Sequence, residues 1–138
     1  MSKGLYKNGV TEIMKGNIDL INSTISAMLI DTDSYTVDLT NDTDLSDIAA
    51  AAQISDTEMS GKTVDGTVFR ANDTTFSSVT GTKVNAIVLF LDNDTEEAST
   101  LIYYADDAAE FPITPDGTDI TIAWDTGANG IVKFSWLP

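Results

Sequence analysis

From residue 62 onward the chain is a succession of short apolar runs set off by turn signals, and this rhythm constrains the fold most. Lys62-Thr63-Val64, then Asp65-Gly66, then Thr67-Val68-Phe69 reads as a hairpin, because Asp-Gly accepts the positive φ of a primed turn. Residues 74–79 form a further strand, closed by Thr80-Gly81. Ala86 to Leu91 is apolar on both faces, as a central buried strand would be. Asp92 to Glu97 is a polar tip, and residues 100–105 return from it. Phe111 to Pro115 holds two prolines, so it is an edge or a link. Ile120, Ile122 and Trp124 alternate with Thr121 and Ala123, and Val132, Phe134 and Trp136 alternate with Lys133 and Ser135. The matching phases predict Trp124 and Trp136 as cross-strand core partners rather than as a ligand platform. Strands closed by turns about every 8–12 residues predict a mainly β fold, an antiparallel β-sandwich or small barrel.

The front of the chain reads differently. Val10, Ile13 and Met14 lie on one helical face, so residues 4–16 predict a short amphipathic helix ending near Met14. Gly9 weakens its start, Gly16-Asn17 stops it, and Lys15 suits the C-terminal dipole. Residues 24–31 are expected as a buried strand, although a run this short also fits a helix. Residues 35–60 are less regular. Tyr35 to Leu39 alternates weakly, and residues 41–44 fit a cap for one turn at Leu45–Ile48. Ala49 to Ala52 extends that turn, and residues 54–59 are an expected edge strand.

Charge divides the chain earlier, near residue 30. Residues 1–30 carry Glu12 and Asp19 against Lys3, Lys7 and Lys15, a net of +1, whereas residues 31–138 carry 20 acids against 4 bases, a net of −16. The 138 residues fit one β-rich domain, 1–138, with 1–30 as helical arm and first strand and 31–138 as acidic β-body. The acids are 17 Asp to 5 Glu, beside 19 Thr, which suits strands joined by Asx turns better than helices. A chain at −15 is poorly suited to bind nucleic acid, and an anionic membrane would repel it. No run is long enough for a membrane helix, and the N-terminus shows no apolar signal core.

With no Cys and no His, the chain lacks disulfides, thiolate chemistry, His-based triads and the usual zinc ligands. No phosphate loop, nucleophile elbow or dinucleotide fingerprint is present, so no cofactor is expected and the chain reads as non-enzymatic. Asp92, Asp94 and Glu96 place oxygen ligands at alternate positions, as calcium loops do. The Gly and the distal Glu of an EF-hand are missing, so these are weak metal candidates beside a solvated hairpin tip. Asp31, Asp33, Asp42, Asp44 and Asp47 are weaker still, against turn and cap chemistry. Asp106, Asp107 and Glu110 offer paired carboxylates, but glycoside hydrolysis also asks for aromatic walls that the core would claim. The better candidates are Lys3, Leu5, Tyr6, Lys7 and Lys15, a slightly basic amphipathic element on an acidic body. It reads either as a helix packed on its own sandwich or as a docking element for an acidic or apolar partner.

The layout is also familiar as a whole. Leu5-Tyr6-Lys7, residues 17–25, Asp44 to Ile48, Asp65 to Asp73, Phe76 to Gly81, Ala86 to Phe90, Pro112 to Gly117, Asp119 to Asp125 and Gly127 to Phe134 carry the match over nearly the whole chain. In these stretches the chain resembles a group of small bacteriophage proteins of roughly 130 residues that look like virion structural proteins. The matching motifs are turns and core residues. The resemblance implies a structural, capsid decoration (cement) role on the outer surface of the capsid. The partner would be the major capsid protein, and the oligomer a homotrimer at local three-fold positions. A tail or tail-fibre module binding a host surface receptor is the alternative, and a calcium-dependent adhesion domain a third reading.

Overall fold

The computed structural model describes residues 3–134. Its largest unit is an antiparallel five-stranded sheet ordered β1-β8-β7-β2-β3. The strands are β1 (Lys3–Leu5), β2 (Ile25–Ile30), β3 (Gln53–Glu58), β7 (Ala86–Leu91) and β8 (Leu101–Ala105). β4 (Thr63–Asp65), β5 (Val68–Arg70) and β10 (Val132–Lys133) form a second sheet, and β6 (Thr74–Phe76) pairs with β9 (Ile120–Ile122). The fold is mainly β, with one short N-terminal helix, α1 (Lys7–Met14).

Both faces of the large sheet are buried, which is why β2 and β7 read as continuous apolar runs. Ile25, Ala27 and Leu29 of β2 and Ile87 and Leu89 of β7 join the inner core with Phe69, Phe76, Ile122 and Val132 of the second layer. Met28, Ile30, Val88 and Phe90 face outward, but residues 31–52 cover them with Tyr35, Leu45, Ile48 and Ala52. This covering segment is where sequence patterning is weakest. Tyr35 to Leu39 is irregular rather than a strand. Asp44 caps a single 3₁₀ turn, Leu45–Asp47, by accepting from Ser46 N–H at 3.0 Å, while Asp47 accepts from Asp44 N–H at 3.2 Å. Ala50–Ala52 forms a separate 3₁₀ turn instead of extending the first. The expected edge strand appears as β3.

Four further expectations change. The helix starts at Lys7, not near residue 4. Tyr6 is extended (φ −71°, ψ 135°), and Lys3–Leu5 pair with Ala105–Tyr103. Ladder bonds to a distant strand outweigh local helical spacing there. Second, Met14 is 81% exposed, and α1 buries Gly9 instead, with Val10 and Ile13 half-buried. Gly16 ends the helix as expected, at φ +80°. Third, β9 pairs with β6 and β10 with β5, so the last two strands are not neighbours. Trp124 therefore meets Thr74, to which its Nε1–H donates at 3.0 Å; Trp136 lies outside the described residues. The hairpin forms one residue later than read. Asp65 pairs with Val68, so the loop is Gly66-Thr67, with Gly66 at φ +64° in the first loop position as a II′ turn requires.

A bulge in β8 shapes the surroundings of α1. Leu89 pairs with Tyr103 and Phe90 with Leu101, leaving Ile102 extra. Ile102 and Tyr103 then both turn to the inner core.

Candidate functional site

The N-terminal candidates part company in space. β1 is a strand of the main sheet, so Leu5 is half-buried against the inner core. Tyr6 is fully buried on the outer side of the sheet. Its hydroxyl lies 2.8 Å from that of Tyr35, which donates to Asp42 Oδ2 at 2.6 Å. Asp42 Oδ2 also accepts from Asp38 N–H at 3.1 Å. Tyr6 is thus closed inside its own domain and offers nothing to a partner. Lys3, Lys7 and Lys15 remain at the surface. Lys3 pairs with Asp107 at 2.9 Å, a solvent-exposed contact that contributes little stability.

Burial pushes the hydroxyls of Tyr6 and Tyr35 well above the ordinary tyrosine range, and the Tyr35–Asp42 bond adds to it for Tyr35. Tyr104, edge-on to Tyr35, is pushed up to about 12 by burial and then by Asp106. The folded state therefore keeps these protons when the unfolded chain loses them near pH ~10. The unfolded state then binds fewer protons, so stability falls as pH rises. We expect a melting temperature insensitive to these groups below about pH 9 and declining above about pH 10. Tyr35→Phe, which strands the Tyr6 hydroxyl, should cost about 1–2 kcal/mol at pH 7. It should also flatten the alkaline decline in melting scans; an equally steep decline would place the titrating groups elsewhere.

The acidic candidates are separated or occupied by local structure. Asp92 Oδ2 accepts from Ser26 and Glu96 Oε2 from Gln53 Nε2. Asp31 accepts from Thr82 and Asp33 N–H, which holds its carboxyl below the usual range, and Asp33 pairs with Lys83. Asp44 and Asp47 are the two halves of a cap. Among the described residues no three acidic groups are placed to hold a metal ion. Glu110 accepts from Ala123 N–H at 3.0 Å, and Tyr104 donates to Asp106.

Two surface features remain. The first is an apolar groove of about 260 Å³ lined by Ile13, Leu20, Val64, Phe69 and Phe134. Of the exposed large hydrophobics, Val64 at 43% lines it, whereas Met14 at 81% and Ile21 at 46% follow the lining Ile13 and Leu20 only in sequence. Lys15 follows Met14, and Lys62 Nζ donates to Ser23 O beside the Asp19 carboxylate. Sequence reasoning singled out Lys15 here but passed over Ile21 and Val64. Val64 is a lone apolar side chain among polar neighbours and Ile21 follows Leu20 in a mixed stretch, and exposed apolar residues of both kinds are common on surfaces.

The second is a cleft of about 680 Å³ at the open side of the sandwich, between β1 and β8 on one wall and β10 on the other. Ile87, Tyr103, Ile122 and Ile131 line its apolar part, with Trp124 beside them. Lys3, Asp107, Asp125, Asn129 and Lys133 supply its polar lining. No helix among the described residues is long and apolar enough to cross a membrane. No protein-family model matches the chain, and no curated protein matches it closely enough to count as a relative.

Proposed function

We propose that the chain is a non-enzymatic structural protein of a tailed-phage virion, a capsid decoration protein bound to the major capsid protein on the outer surface of the head. The carrying observation is the apolar groove. Exposed Val64 lines it, and its Ile13 and Leu20 wall comes from the near-neutral N-terminal portion of a chain whose remainder is strongly acidic. Burying each such side chain contributes about 1.5–3 kcal/mol. The likeness to small virion proteins points the same way. A homotrimer at local three-fold positions fits a protein that locks neighbouring capsid subunits.

Copy number in purified virions tests the location: hundreds of copies on the head are expected, whereas six to a few dozen on the tail would overturn it. Binding of the purified protein to empty heads tests the face. Val64→Asp places a charge in the groove lining at a side chain 43% exposed, so it should weaken head binding about tenfold with little change in melting temperature. Undiminished binding would remove this face from the interface. The second reading, a tail module binding a host surface receptor, is favoured by the Trp124 cleft, whose volume and mixed lining suit a small ligand.

A further inference from the structure

We infer that the Trp124 cleft is a binding site for a neutral saccharide, independent of the capsid-facing groove. At about 680 Å³ it lies in the size range of ligand sites, and it opens between the layers of the sandwich, where β-folds commonly hold ligands. Trp124 is held by two hydrogen bonds. Its Nε1–H donates to Thr74 Oγ1 at 3.0 Å and its backbone N–H to Asp73 Oδ1 at 3.2 Å. With its one side-chain donor engaged and part of it packed on the inner core, the indole has only carbon ring surface left for the cleft that it lines. The negative face of that ring attracts the polarised C–H groups of a pyranose, as it does the positive edge of another ring.

The polar groups suit hydroxyls. Asp107 holds Lys3 through Oδ2, and Asp125 Oδ1 accepts from Gly127 N–H at 2.7 Å, so each carboxylate keeps acceptor capacity for a sugar hydroxyl. Asn129 supplies both donor and acceptor. Charge sets the ligand's sign. Lys3 and Lys133 balance Asp107 and Asp125 locally, so the net −15 of the chain decides against anionic sugars, phosphates and nucleotides. The competing occupant is an extended peptide added to the open edge of β1 or β10. Such a peptide would bind through main-chain groups and be indifferent to the ring at position 124.

Saturation-transfer NMR on the full chain, with maltotetraose, cellotetraose and the N-acetylglucosamine tetramer as neutral probes and a tetragalacturonate as the anionic one, tests the assignment. At least one neutral probe should bind with a dissociation constant on the order of 1 mM, as expected of a shallow one-ring site. Trp124→Ala should weaken that binding about tenfold, while Trp124→Phe retains most of it. If Trp124→Ala lowers the melting temperature, Asn129→Ala on the exposed loop serves instead, with weaker binding of the same probe expected. Silence from all neutral probes at millimolar concentration, binding of the anionic probe alone, or binding unaffected at both positions would overturn the proposal.

Discussion

Phe90→Ala is expected to lower the free energy of unfolding by about 3–5 kcal/mol, the range for emptying a large aromatic site. The site is poorly able to collapse. Phe90 is 1% exposed in β7, a central strand, with the sheet backbone beneath it. Across the ladders it faces Ser26 on one side and Leu101 on the other. Ser26 is buried and too small to fill the void. Above it lies the 31–52 covering segment, fixed by the Asp44 cap and the Tyr6–Tyr35–Asp42 chain. Urea titration should show a lower midpoint with unchanged slope, and the melting temperature should fall by about 10–20 °C. A loss below about 1 kcal/mol would mean that the segment does not seal this face.

Gly9→Ala should destabilise the protein by about 2–3 kcal/mol, against the sign of helix propensity. In an open helix the change gains about 1 kcal/mol. Here a Cβ would stand 2.9 Å from Ile102 Cα and closer still to the Leu101 carbonyl oxygen. Both belong to β8, held by β1 and β7 and locally bulged at Ile102, so the strand does not yield as a side chain would. Asn8→Ala, one position earlier, is the control and should be neutral or slightly stabilising. If Gly9→Ala matched that control in thermal melts, the close approach of α1 to β8 would be wrong.

Strand content was legible because it rests on alternation and turn chemistry. The runs at 25–30, 86–91 and 101–105 became β2, β7 and β8, and Gly16, Gly66 and Asp44 act where their types suggest. The register of the 65–68 turn was off by one, since Gly66 takes the first loop position. The N-terminal reading fared differently. Its apolar spacing does belong to a helix, but Tyr6 went inside and Met14 outside, because the start moved to Lys7. The groove joins α1 and the loop after it to the β4–β5 hairpin and Phe134, and the cleft joins β1 to the turn before β10. No local window contains either pair.

Residue chemistry alone therefore determined that this chain would be β-rich, strongly acidic and without thiol or imidazole chemistry, and where many of its turns and caps would fall. Those outcomes depend on sterics and hydrogen bonds among near neighbours. Which strands meet, which face of the N-terminal element is covered, and where an apolar groove and an aromatic cleft open were decided by long-range pairing. β1 joins β8 and β10 joins β5 across long stretches of chain because complementary faces bury each other only once both are assembled. The charge asymmetry was visible from the start; the side chains set beside it were placed by packing.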